Sequence, residues 1–216
     1  MFIVSHSPGA SLADPVPARG LPIPMPSTFA AHPPDDACRA EVEAFIQQVY
    51  ARRFDADVTP FTPTLVSLRD QISGQLVAAA GYRQAESAPL FLERYLDQPV
   101  EALLAPLAGP QQAPPPRSAI VEIGHLAAAR SGEGPRLVHL LTRWLAAQHV
   151  GWVVSTLTRE VLHLFHRLGL RPQALAPAPA SRLGSVDEHA PRVFAGDLRA
   201  ALLTLQTRAR QRGGLR

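Results

Sequence analysis

Between Ile120 and Gln148 the chain reads IVEIGHLAAARSGEGPRLVHLLTRWLAAQ, an uninterrupted strand, loop and helix around which the rest must be arranged. The run from Ile120 to Ala129 is apolar with a β-branched start, broken only by Glu122 and His125. That is the pattern of a central strand buried on both faces. Ser131-Gly132-Glu133-Gly134-Pro135 ends it. From Arg136 onward Leu137, Leu140, Leu141, Trp144 and Leu145 recur at helical spacing, so an amphipathic helix is expected to start at the glycines. Such a start offers unbonded backbone N–H groups and the positive end of the helix dipole, a place where a phosphate can sit.

The flanking sequence predicts what surrounds this unit. After Pro33-Pro34, Asp35 or Asp36 caps a helix with Val42, Phe45, Ile46, Val49 and Tyr50 on one face, ending near Phe54. Thr64 to Asp70 and Gln75 to Arg83 read as a hairpin turning at Ser73-Gly74. Leu90 to Asp97 suits a short helix, and Pro99 opens another. A proline-rich loop, Gly109 to Pro116, leads into the central strand. Beyond the central helix, Gly151 to Leu157 reads as a buried strand. Thr158 caps a helix from Arg159 to Leu168, and Gly169 stops it. Past Pro172 the pattern weakens: alanine and proline alternate from Ala174 to Ala180, Arg192 to Ala195 suits a short strand, and Leu198 to Arg208 suits a terminal helix. A strand-helix-strand-helix second half after a hairpin implies an α/β (α+β) fold, a mixed sheet with helices on both faces.

Length and composition narrow the classes. The 216 residues suit one domain, expected over 35–208, with a disordered proline-rich tail at 1–34 and a frayed tail at 209–216. All 21 basic residues are arginine, which excludes a lysine Schiff base or a Walker-type phosphate loop. With a formal net charge of only +3 and no basic tract, nucleic acid is not expected as a partner. A single cysteine, Cys38, excludes an internal disulfide and a cysteine-based zinc site. With no signal-peptide pattern and no membrane-spanning stretch, a cytoplasmic location is expected.

Several side chains are candidates for chemistry. Glu122 stands inside an apolar strand, where a carboxylate must be paired or protonated; it is either a salt-bridged core group or a general base with a raised pKa. His125 has the opposite facing parity on an ideal strand and needs a bulge to share the Glu122 face. Glu93, Asp97 and Glu101 form an acidic cluster that either holds an ammonium group or is a solvated face. The Ser131 to Pro135 loop, with Gly132 and Gly134 and with Arg130 and Arg136 beside it, either binds phosphates or is a plain glycine turn. His163 and His166 share a helix face without a third ligand, so no metal is expected.

The motifs Ala80-Gly81-Tyr82-Arg83, Pro89 to Asp97 with Pro99 and Glu101, and Ile120 to Ala127 occur here in that order. Thr156-Leu157-Thr158 follows, then Phe165 to Leu170 and Pro191 to Gly196. In this combination the chain resembles the thermostable hemolysin family, over most of 41–198. That family is related to GNAT acyltransferases and acyl-homoserine-lactone synthases. The resemblance implies a GNAT-like fold and acyl transfer from acyl-CoA or acyl-phosphopantetheine, the latter on an acyl carrier protein, to a small amine acceptor. It implies backbone N–H groups of Leu126, Ala127 and Ala128 along the pantetheine arm. Phosphates would lie at Gly132, Gly134, Arg130 and Arg136, with Glu122, Glu93 and His125 in catalysis and Arg94 and Glu101 on the acceptor. The chain departs from the pattern at four places. His125 stands where the family usually has asparagine, and Ala129 where GNAT enzymes carry arginine or glutamine. Phe165 replaces a tyrosine general acid, and Leu183 to Asp187 lacks the usual tryptophan and paired tyrosines. The competing expectations are a membrane-lytic protein and a catalytically degenerate binding module.

Overall fold

Proline-rich sequence ends at Pro26, and the six proline-free residues that follow, Ser27–His32, form strand β1. The computed structural model describes residues 26–109, 113–177 and 192–213. In chain order these form β1, helix α1 (Arg39–Phe54), β2 (Thr64–Asp70), β3 (Leu76–Gln84), a 3-10 turn (Phe91–Tyr95), α2 (Val100–Ala108) and β4 (Ile120–Ala128). Then come α3 (Glu133–Ala147), β5 (Trp152–Leu157), α4 (Arg159–Arg167), β6 (Gln173–Pro177), β7 (Arg192–Asp197) and α5 (Leu198–Gly213). The described strands make one sheet in the order β1-β2-β3-β4-β5-β7-β6. Its pairs are antiparallel except β4 with β5. The expected mixed sheet with helices on both faces is therefore what the chain forms.

Local chemistry accounts for the element ends. At the hairpin turn Asp70 Oδ1 accepts the N–H groups of Ile72 and Ser73 at 2.8 Å each, and Gly74 takes φ 70°, so the chain reverses within four residues. Thr158 caps α4 by accepting from Val161 N–H. Gly169 follows that helix at φ 79°, where a Cβ would meet the Arg208 guanidinium at 2.7 Å.

Strand alternation divides the core. One face carries Val66, Leu68, Tyr82 and Val121 against Leu137, Leu141 and Leu145 of α3 and Leu198 of α5. The other packs Leu65, Ala79 and Ala127 under Val42, Ile46 and Tyr50 of α1. Further along that face Ile120 and Val154 lie under Leu92, Tyr95, Val100 and Leu104 of the 3-10 turn and α2. Burying each such side chain is worth about 1.5–3 kcal/mol.

Three expectations need correction. The tail assigned to 1–34 overlaps β1, which pairs with β2 from Ser27↔Asp70 to His32↔Leu65 and packs Phe29 and Ala31 on the core. The central helix starts at Glu133, between the two glycines as expected, and it tolerates Pro135 because the first helical turn has no intrahelical use for its N–H groups. The alanine-proline stretch contains β6, an edge strand with one partner, where proline deprives the sheet of few bonds. The frayed tail assigned to 209–216 overlaps α5, which continues to Gly213. Residues 1–25, the Leu183 to Asp187 motif and 214–216 lie outside the described residues.

Candidate active site

Strands β4 and β5 are in register only at Ile120↔Trp152, Val121↔Val153 and Glu122↔Val154, although both run further. Past Glu122 they part, and a side chain replaces the ladder: Ser155 Oγ donates to Ile123 O at 2.8 Å. On its other edge β4 stays paired, with a bulge. Gly81 opposes Gly124 and Ala79 opposes Ala127, so two residues of β4, His125 and Leu126, face one of β3. His125 sits at φ 55°. Gly81 makes room for this, since a Cβ there would lie 3.2 Å from His125 Nδ1.

The bulge brings His125 onto the Glu122 face, and both line a cleft of about 40 Å³ with Arg83, Tyr95, Thr62 and Thr156. The Phe61 ring lies 5.4 Å from that of His125 and closes one side. Glu122 is 7 % exposed. Its Oε2 accepts Phe91 N–H at 2.6 Å and its Oε1 accepts Leu92 N–H at 3.0 Å. Burial raises its pKa, and these two N–H bonds oppose the rise. Of the two expectations for Glu122, the salt-bridged core group does not hold: among the described residues it has no ion-pair partner. His125 is 1 % exposed, and burial lowers its pKa to about 3, so its imidazole is neutral near pH 7. Burial also raises the Tyr95 hydroxyl, with the Glu122 charge adding to the effect.

Bond directions show which β4 groups face the parted edge. Ala129 N–H donates to Val77 O and Ile120 O accepts from Ala85 N–H, both across to β3. Alternation from Ala129 therefore turns the Ala127 amide toward β3, in register with Ala79, and turns Leu126 and Ala128 toward the opening. The expectation for Ala127 is corrected accordingly. At the end of β4, Gly132 takes φ 97° at the cap of α3. The position of Gly134 is against Ala128 and Leu164, 3.7 and 3.9 Å from where a Cβ would stand. The α3 N-terminus thus opens beside the parted strands, with Arg130 exposed and Arg136 half-buried next to it.

The acidic cluster is elsewhere. Glu93 is gripped by Arg117, Oε1 to Nη1 at 2.8 Å and Oε2 to Nη2 at 3.0 Å, and its Oε2 also caps Leu90 N–H at 2.7 Å. The same Arg117 Nη1 reaches Glu101 Oε2 at 2.8 Å. The Arg117 hydrogen bond holds the Glu93 carboxyl below the usual carboxylate range. Glu93, Glu101 and Asp97 line a separate, shallow cavity of about 540 Å³. Arg94 is exposed and lies 4.8 Å over the Phe91 ring. Glu93 and Glu101 therefore line the other cavity rather than the Glu122 cleft, while Arg94 reaches the ring of Phe91, which lines that cleft. Ion-paired with Arg117 and bonded to Leu90 N–H, Glu93 helps fix the turn whose N–H groups reach Glu122.

Arg83, Tyr95, Thr62 and Thr156 are cleft residues that sequence reasoning did not select. Strand parity pointed to two of them: Arg83 lies two residues beyond Gly81, and Thr156 two beyond Val154, the register partner of Glu122. Among the described residues no three His, Cys, Asp or Glu side chains gather as metal ligands, and His163 and His166 are exposed on α4. No described helix is long and apolar enough to cross a membrane.

No curated protein matches the chain. Among solved structures, TofI in an apo form is similar with a TM-score of 0.57 at 15% identity, covering 81% of this chain and 95% of TofI. The AHL synthase LasI has a TM-score of 0.54 at 14% identity, covering 82% and 95%. The CoA-dependent acyl-homoserine lactone synthase BjaI, solved with MTA, has a TM-score of 0.57 at 15% identity, covering 85% and 89%. These likenesses show the fold, a GNAT-like mixed sheet opened between two parallel strands. The thermostable hemolysin family model matches residues 32–202, from the last residue of β1 into α5, and the chain belongs to that family.

Proposed function

We propose that this protein is an N-acyltransferase, moving an acyl group from acyl-CoA or an acyl carrier protein to an amine. The observation that carries the reading is Glu122. It is a buried carboxylate with a raised pKa, facing a cleft at the point where β4 and β5 part. The fold shared with BjaI, which has also been solved with SAM and isopentyl-CoA, supports a thioester donor.

In this reading the donor's phosphates meet the α3 N-terminus at Gly132 and Gly134, with Arg130 and Arg136 beside it. Its pantetheine arm follows the open edge of β4. The N–H groups of Leu126 and Ala128 face that edge and polarise the thioester carbonyl. The amine nitrogen attacks the carbonyl carbon, forming the C–N bond. The C–S bond breaks and its electron pair leaves with sulfur. Glu122 accepts the amine proton and returns it to the departing thiolate. His125, neutral in its buried setting, orients the acceptor. Such a reaction belongs in the cytoplasm, where acyl-CoA and acyl carrier protein are made.

The test is comparative lipid mass spectrometry of cells expressing the wild type and Glu122→Gln. A new N-acylated species found only with the wild type is the expected result. Direct leakage of lipid vesicles by the purified protein, with no such species formed, would instead support a lytic protein.

A further inference from the structure

Two opposite charges face the cleft without closing on each other. Arg83 and Glu122 are register partners on β3 and β4, both line the cleft, and the Arg83 charge acts on both Glu122 and His125. Side chains so opposed are separated by about 5 Å at Cβ, within easy reach of each other. Yet the ion pairs among the described residues do not include this one. Both are anchored to one stretch of main chain instead: Arg83 Nη1 donates to Pro89 O at 3.0 Å, and Glu122 accepts from Phe91 and Leu92. The 89–92 segment holds a cation and a carboxylate side by side and apart. From β5, Thr156 also lines the cleft, and its buried Oγ1 has no hydrogen-bond partner among the described residues.

We propose that the acceptor is a free α-amino acid, its nitrogen at Glu122 and its carboxylate on Arg83. The inference rests on the acyl-transfer reading above. A zwitterion presents an ammonium and a carboxylate one carbon apart, the complement of the pair the cleft holds open; the ammonium first loses one proton through Glu122 to solvent, and the neutral nitrogen then attacks, its second proton going to the thiolate. The guanidinium fork matches a carboxylate bidentately. A simple amine leaves Arg83 without a counter-charge in a partly desolvated site. Size agrees: about 40 Å³ holds roughly three or four water-sized groups, the bulk of an amino-acid head group. The Thr156 hydroxyl supplies a third polar contact to it.

The test uses the purified full chain, octanoyl-CoA or octanoyl-acyl carrier protein, and two acceptors that differ by one carboxylate, L-leucine and 3-methylbutylamine. Rates are compared at equal free-base concentration, reading thiol release and product mass. The wild type is expected to favour leucine by about 10- to 100-fold in kcat/KM, the worth of a charge-assisted contact. Arg83→Gln should remove most of that preference, read as the ratio of kcat/KM for leucine over 3-methylbutylamine, and Arg83→Lys should restore part of it. Equal use of both acceptors by the wild type, or an equal loss for both in Arg83→Gln, overturns the amino-acid inference and leaves acyl transfer standing. Failure of both thioesters with both acceptors overturns the acyl-transfer reading and the inference together.

Discussion

Replacing Gly81 with alanine inverts the usual expectation for a strand glycine. In an ordinary strand the change is stabilising by about 0.4–1 kcal/mol, because it restricts the unfolded chain. Here the new Cβ would stand 2.0 Å from Thr62 Oγ1, 2.9 Å from Leu65 Cδ2 and 3.2 Å from His125 Nδ1. Thr62 cannot retreat with its backbone, because Arg39 holds its carbonyl at 2.9 Å and that of Pro63 at 2.7 Å. Its hydroxyl must swing away, giving up the 3.2 Å bond to Thr64 O, a loss of about 0.5–1.5 kcal/mol. Crowding of Leu65 and His125 adds about 1–3 kcal/mol. Together these give a destabilisation of about 2–4 kcal/mol, or roughly 5–15 °C in Tm for a chain of this length. Urea and thermal unfolding of wild type, Gly81→Ala, Thr62→Ala and the double variant form the assay. Removing the hydroxyl abolishes the shortest contact, so the double variant should be more stable than the two single changes predict when added, by about 1 kcal/mol or more. A Gly81→Ala protein as stable as wild type, or strict additivity, refutes the argument that this glycine makes room for the cleft.

Four further outcomes follow from the site. The raised Glu122 pKa means that this group's contribution to stability is complete below its unfolded value of 4.5 and is lost as pH rises through the folded pKa. The wild type should therefore lose stability relative to Glu122→Gln as pH rises above 4.5, and a flat difference between their unfolding free energies would contradict the desolvation argument. For His125 the sign is opposite: with its folded pKa near 3 against an ordinary 6.5, stability is present above 6.5 and lost as pH falls toward 3, by at most about 5 kcal/mol for a difference of 6.5 − 3 = 3.5 units. Histidine NMR titration checks it, and an imidazole titrating near pH 6 would show the ring to be hydrated. Finally, Arg117→Gln should lower stability by about 1–3 kcal/mol by leaving Glu93 and Glu101 with no cation. Glu93→Gln should lower stability while leaving kcat within about twofold in the folded protein; a kcat loss as large as that of Glu122→Gln, about 100-fold or more, would return Glu93 to catalysis.

The parts that could be read from sequence share a cause. The helical stripe of α1, the Ser73-Gly74 turn, the Thr158 cap and the apolar run of β4 each depend on residues within a few positions of one another, so periodicity and turn chemistry reveal them. Glu122 could be singled out because a carboxylate inside such a run must be explained wherever the strand ends up. The pattern was silent where pairing with distant chain decides structure. Serine, the two alanines and histidine outnumber the strand-favouring Thr28 and Phe29 in Ser27–His32, and alanine and proline dominate Gln173–Pro177; these segments become strands because β2 and β7 offer unpaired edges.

By itself, then, the sequence determined the mixed sheet, the glycine-started helix beside its central strand, and the presence of a carboxylate that a buried strand does not readily tolerate. Tertiary structure decided which side chains meet. Whether His125 joins Glu122 depended on a bulge that forms against β3, where Gly81, 44 residues earlier in the chain than His125, leaves room for its ring. Whether Glu93 is reactive or structural depended on Arg117, delivered from beyond α2. Whether Arg83 neutralises Glu122 depended on a turn that binds both and keeps them apart. Local sequence sets backbone preference and facing within an element. The partner across the sheet, and with it the charge and geometry of the cleft, is a property of contacts between segments far apart in the chain.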